Sequence, residues 1–117
     1  MNSRNKGKRG ELEMAKVLNF YGYNARRGQQ YCGINGDADV IGLPGIHIEV
    51  KRVEKLNIDN AVEQAMNDAS YGEMPAVFHS KNHKQWLVTM PLAEWMALYK
   101  AWEKDNERTY KAAQVGP

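Results

Sequence analysis

Gly36-Asp37-Ala38-Asp39-Val40-Ile41, followed after Pro44-Gly45 by Ile46-His47-Ile48-Glu49-Val50-Lys51, is the stretch that decides the fold of this 117-residue chain. Both runs are rich in β-formers, and a Pro-Gly turn between them predicts an antiparallel hairpin over Asp37 to Leu43 and Ile46 to Val53. Successive strand residues alternate faces, so Ile46, Ile48 and Val50 point one way and His47, Glu49 and Lys51 the other. Asp37 and Asp39 likewise share a face of the first strand. The hairpin therefore sets carboxylates and an ammonium side by side.

Outward from the hairpin, the sequence supplies one helix before it and one after. Leu12, Ala15 and Leu18, with Met14, Val17 and Tyr21 beside them, repeat at helical spacing and predict a helix over Lys8 to Tyr21 that Gly22 ends. Glu11 falls at the edge of that apolar stripe, where a carboxylate is costly unless it has a partner or a task, and Glu13 falls on the polar side. Tyr23 to Arg27 reads as a short strand, and the glycine-containing stretch 28–36 as a mobile loop. After the hairpin, Asn57 or Asp59 caps a helix through Ala61, Val62, Ala65, Met66 and Ala69 that ends near Gly72. Pro75 to Ser80 and Gln85 to Met90 read as two more strands. Pro91 opens a last helix with Leu92, Trp95, Met96, Tyr99 and Trp102 on one face.

The length suits one domain spanning residues 1–117, with a flexible basic amino end over about residues 1–7 and a frayed tail from about 105. Hydrophobic residues at 43% and charged residues at 26% are ordinary globular usage and exclude a mostly disordered or collagen-like chain. No apolar run is long enough for a bilayer, and the amino end does not lead into a secretory segment, so the expected address is the cytoplasm. The lone Cys32 cannot form an internal disulfide and no His/Cys spacing supports zinc. The net charge of +2 hides a polarised chain, strongly basic over residues 1–30 and strongly acidic over 31–78. A basic arm before an acidic centre suits a polyanion handled around a cation site.

An isolated acid-x-lysine on a strand is most often a cross-strand ion pair on a solvated face. Here the strand is central, its neighbour's acids face the same way, and Glu11 sits beside a buried stripe. Clustered carboxylates stabilise a fold poorly, so a cation explains them better. Hard carboxylate oxygens suit Mg2+, with Mn2+ as a substitute, and such an ion leaves positions to water and substrate phosphate. Asp39 and Glu49 are the expected ligands, with the backbone carbonyl of Val50 between Glu49 and Lys51 as a further oxygen, and Glu11 as a third carboxylate. Asp37 is the rival ligand on the same face as Asp39. Lys51 would hold the attacking water and offset transition-state charge. His47 is given a minor role at most.

With these residues the chain resembles the PD-(D/E)XK nuclease superfamily: Asp39, Glu49 and Lys51 follow a helix that carries Glu11, in the family's order of helix, antiparallel hairpin sheet, helix and further strand. The resemblance covers roughly residues 6–90. Ala38 stands where the family's first motif has proline, so Asp39 is matched by the following Val40-Ile41. Within the superfamily the early glutamate, the basic amino end and the arginines before a glycine-containing loop are similar to Holliday-junction resolvases and small phage-borne nucleases. The resemblance implies an α/β, or α+β, restriction-endonuclease-like core, a metal-dependent endodeoxyribonuclease with no organic cofactor, and a homodimer acting on branched DNA. It also matches Gln64, otherwise a plain helix-surface residue, to a polar position near the active site. Arg4, Lys6, Lys8, Arg9, Arg26 and Arg27 are the expected backbone clamp, reading shape rather than bases. A superfamily nuclease for nicked, flap or single-stranded DNA, and a non-catalytic recombination accessory protein, are the alternatives.

Overall fold

The structure is a computed structural model; it describes residues 3–29 and 38–107, with side chains from residue 7 onward. Asp37, most of the glycine-containing loop and the tail beyond 107 lie outside the described residues, as do the side chains of Arg4 and Lys6.

Helix α1 spans Ser3–Phe20. It starts five residues earlier than the apolar pattern predicts, so the backbone from residue 3 already belongs to the helix. Extending a helix that has already formed adds about one hydrogen bond per residue, so it needs no apolar stripe and tolerates the weak formers Ser3, Asn5 and Gly7 beside Arg4 and Lys6. The carboxyl end closes as expected, with Gly22 N–H donating to Asn19 O and Tyr23 N–H to Leu18 O.

Five strands follow: β1 (Arg26–Arg27), β2 (Val40–Ile41), β3 (Ile46–Arg52), β4 (Met74–Ser80) and β5 (Leu87–Thr89), with helix α2 (Ile58–Asp68) between β3 and β4 and helix α3 (Leu92–Asp105) last. They form one sheet in the order β1-β2-β3-β4-β5. The β1–β2 and β2–β3 pairs are antiparallel. At the hairpin turn Ile46 N–H donates to Leu43 O at 3.0 Å, and Gly45 takes φ +90°, the left-handed position that follows proline in a type II turn. After the α2 crossover, β4 runs parallel to β3 from Ile46↔Met74 to Arg52↔Ser80. β5 then pairs antiparallel with β4.

The strands at the sheet's edges are shorter than the sequence predicts. β1 lacks Tyr23 to Ala25 because the Asn19 side chain binds both the N–H and the carbonyl of Ala25, removing them from any ladder. Asn57, rather than Asp59, caps α2: its side-chain oxygen accepts from Asn60 N–H at 3.1 Å.

Two apolar clusters hold the layers. On one face of the sheet Met14, Ala15 and Leu18 of α1 pack on Val40, Ile48 and Val50, with Trp86 at the edge. On the other, Ala61 and Ala65 of α2 pack on Val77. Burying these side chains contributes roughly 1.5–3 kcal/mol for each large one. The alternation along β3 holds: its isoleucines and Val50 face α1, and His47, Glu49 and Lys51 leave from the face that α2 covers. Helix α3 is different, with none of its described residues buried. Trp95 and Trp102, on the apolar face expected of this helix, are 49% and 56% exposed, so they are not core; Tyr99 lies between them, stacked on Trp95 at a centroid spacing of 5.4 Å and tilted against Trp102 at 5.7 Å.

Candidate active site

Strand register builds the centre of the site. Val40 pairs with Ile48, so the next residues of this antiparallel pair set Asp39 opposite Glu49 with both side chains on one face. The Asp39 Oδ2 also accepts the N–H of Val50 at 2.9 Å. A strand residue's N–H and C=O project to the same side, so the Val50 carbonyl also faces the Asp39 edge. Asp39 and Glu49 are close enough for the charge of Glu49 to act on the Asp39 carboxyl. Lys51, two residues along the same face, is near enough for its charge to act on Glu49.

The charges explain the titration of the pair. Burial, then the charge of Glu49, push the Asp39 carboxyl up from 3.8 to about 7, and Glu11 adds to the shift. Burial also disfavours the Glu49 anion, but the hydrogen bonds from His47 and Asp39 and the charges of His47 and Lys51 outweigh it and hold Glu49 below its usual range. Of the two acids, Asp39 is the one whose charged form is disfavoured. Two facing carboxyls, one of them reluctant to ionise beside the other, form a donor set that fits a hard divalent cation.

The other expected residues are distributed around this centre. Glu11 is mostly buried on α1, where its Oε1 accepts from Arg27 Nε at 2.9 Å. Arg26 is exposed, and Arg9, Lys16, Arg26, Arg27 and Arg52 line one open groove together with Leu12 and Ala15. Lys8 is exposed on α1, and Gln64 is exposed on α2. Glu13 is held by Arg52 and by the Trp86 indole, whose Nε1 donates at 3.2 Å.

Sequence reasoning gave His47 a minor role and did not bring in the two acids beside it. His47 is 3% exposed, and its Nε2 is 2.8 Å from Glu49 Oε1. Its Nδ1 is 3.7 Å from Glu73 Oε1, and ligand atoms of His47, Glu49 and Asp68 lie within 4.8 Å of one another. Burial opposes a charge on His47, but the hydrogen bond and charge of Glu49, with Glu73 and Asp68, prevail and raise its pKa. The alternation that placed Glu49 also placed His47 on its face. Asp68 and Glu73 carried no such signal, because the crossover brings them there.

None of the described helices is long and apolar enough to cross a membrane. The fold is similar to that of Hjc from Archaeoglobus fulgidus, a Holliday junction resolvase from an archaeal hyperthermophile, with a TM-score of 0.50 and 22% identity over 73% of this chain and 72% of that one. No curated protein matches the sequence. Residues 2–116 match the family described as "Phage putative PDDEXK endonuclease". With a helix, a hairpin carrying Asp39, Glu49 and Lys51, and a crossover helix in the expected order, the chain belongs to this phage PDDEXK endonuclease family and is a nuclease of the PD-(D/E)XK type.

Proposed function

We propose that the chain, as a single domain over residues 1–117, is a divalent-metal-dependent endodeoxyribonuclease that hydrolyses DNA phosphodiesters and selects branched DNA, Holliday junctions above all. The observation that carries this reading is the Asp39–Glu49 pair, opposed across two strands with Lys51 on the same face. Asp39, Glu49 and the Val50 carbonyl would hold Mg2+, or Mn2+ in its place, with Glu11 as a further carboxylate at the rim and Asp37 as the rival to Asp39. When bound, that ion would supply charge stabilisation at the phosphoryl oxygens and acidify a water.

The chain's own groups do the rest. Lys51 orients the attacking water and places a positive charge beside the pentacoordinate phosphorus, where negative charge grows. Burial of Glu49 at the sheet keeps the carboxylate fixed and limits competing water. Arg9, Arg26 and Arg27, with Arg4, Lys6 and Lys8 along α1, bind the DNA backbone, and the ion pair of Arg27 with Glu11 ties that contact to the site. Gln64 is a polar contact near the substrate from α2.

Selectivity for a junction calls for two symmetric cuts and therefore two copies of the chain. The stacked, exposed Trp95, Tyr99 and Trp102 of α3 supply an apolar surface for that contact.

The test is incubation of the purified protein with Mg2+ and labelled four-way junction, flap, nicked duplex, duplex and single strand, with Lys51→Ala as control. Paired symmetric nicks in the junction alone, absent from the control, are expected. Cutting of another substrate keeps the nuclease and discards the junction preference, and tight binding without cutting in Mg2+ or Mn2+ makes the chain an accessory protein.

A further inference from the structure

One buried group on the site's face is not used by the reaction proposed above. His47 precedes Glu49 by two residues on β3, so the two side chains leave the sheet together. Each is 3% exposed, and a 2.8 Å contact joins His47 Nε2 to Glu49 Oε1. The far edge of the ring faces acids from elsewhere in the chain: Glu73 Oε1 is 3.7 Å from Nδ1, and Asp68 ends α2. The parallel pairing that sets His47 beside Pro75 brings this acidic segment to the ring.

A buried carboxylate is costly unless its oxygens have partners. It is also useful to a cation only if its orientation is fixed, and groups behind the ligands do this in metal sites generally. Glu49 has three rotatable side-chain bonds; the His47 hydrogen bond restrains them on one flank, and Asp39 faces them from the neighbouring strand. Asp39 alone could not do so, since that contact must rearrange when both acids turn to a cation. The His47 contact need not change.

We infer that His47 is a positioning residue: it donates from Nε2 to Glu49 Oε1 and, steadied by Glu73, holds the Glu49 carboxylate in the orientation that the cation site requires. This inference rests on the assignment of Asp39 and Glu49 as the metal site.

The experiment compares wild type, His47→Leu, His47→Gln and Glu73→Gln, each checked for folding by circular dichroism. Mn2+ binding to the metal-free protein is measured by electron paramagnetic resonance, and kcat and KM on the DNA that wild type cuts. Leucine fills the space without a donor, whereas glutamine returns an N–H near the Nε2 position. His47→Leu is expected to weaken Mn2+ binding and lower kcat by about 10–100-fold with KM for DNA unchanged. His47→Gln should recover most of both, and Glu73→Gln should show a smaller loss in the same direction.

A folded His47→Leu variant equal to wild type overturns the inference, and so does an equal loss in the leucine and glutamine variants. Loss of a whole Mn2+ equivalent in His47→Leu also overturns it, because His47 would then be a ligand. Should the His47 variants not fold, unchanged Mn2+ affinity in Glu73→Gln overturns it. Wild type that neither binds Mn2+ nor cuts DNA removes the metal-site assignment itself, and this inference with it; an active wild type with unaffected variants removes the inference alone.

Discussion

Asp39 and Glu49 face each other across the β2–β3 pair, and burial together with the charge of Glu49 pushes the Asp39 carboxyl up to about 7. In the unfolded chain the same carboxyl ionises near 3.8. Between those values the folded protein keeps a proton that the unfolded chain has released, so this contribution to stability is complete below the lower value and is lost as pH rises through the upper one. The raised pKa of His47 acts in the same direction. The metal-free protein is therefore expected to melt at progressively lower temperature as pH rises from about 4 to about 8. Mn2+ should restore the loss, and more strongly at higher pH, because the cation replaces that proton. Asp39→Asn should flatten the pH dependence and abolish the Mn2+ effect. Differential scanning fluorimetry with a chelator and with Mn2+ checks both; a profile that Asp39→Asn leaves unchanged would show that Asp39 does not carry it.

The proposed function assigns Lys51 to the reaction and the grip on DNA to other cations. Lys51→Ala is expected to reduce the cleavage rate by at least about 100-fold, the order typical of a lost charge-stabilising group, while DNA affinity in Ca2+ stays within a few-fold of wild type. Glu49→Ala should behave alike in cleavage. Cleavage assays beside fluorescence anisotropy measure the two effects, and persistent cutting in both variants would place the chemistry elsewhere.

The basic groove makes a different prediction. Phosphate contacts release counterions, so losing one weakens binding on every sequence and flattens its salt dependence by roughly one unit of log-log slope. The pair Arg26→Ala and Arg27→Ala should therefore weaken binding at low salt and lower the slope. An unchanged slope would mean that neither arginine touches a phosphate. Glu11→Gln, which weakens the tether on Arg27, should leave the slope in place and alter cleavage more than binding.

How much was legible before the fold was known follows from how local each signal is. The hairpin was readable because Pro44-Gly45 and the alternation around it are contained in one short stretch, and the opposition of Asp39 to Glu49 follows from that turn. The parallel β3–β4 pairing was not, since it is fixed only when Ala61 and Ala65 of α2 close on Val77. The same crossover delivers Asp68 and Glu73 to His47, which is why the histidine looked idle in the sequence. The shortness of β1 was hidden too, because it depends on one side chain, Asn19, capturing the backbone of Ala25.

That capture brings the chain close enough to β2 to make another residue critical. A Cβ on Gly42 would stand 2.6 Å from the Ala25 Cα and 2.9 Å from the Asn24 carbonyl, with the backbone at φ +138°. Backbone atoms cannot move aside as a flexible side chain would. Gly42→Ala is expected to destabilise the protein by about 2 kcal/mol or more, read as a fall in urea midpoint, and to weaken cleavage through displacement of β2 and Asp39. A midpoint within error of wild type would mean that β1 and β2 are not held this tightly.

Helix α3 yields the opposite expectation for stability. None of its described residues is buried, so its aromatic side chains contribute little to the chain's own core, and polar replacements there should cost little of the fold. If Trp95 and Trp102 instead meet a second copy, as the proposed dimer requires, Trp95→Glu with Trp102→Glu would bury charges at an apolar contact and oppose association. The expected result is a well-folded monomer, by sedimentation velocity, with a melting temperature close to that of the dissociated wild type. It should still bind DNA but lose paired, symmetric cutting, because the two incisions would then depend on independent encounters. A double variant that remains dimeric would put the contact on another surface.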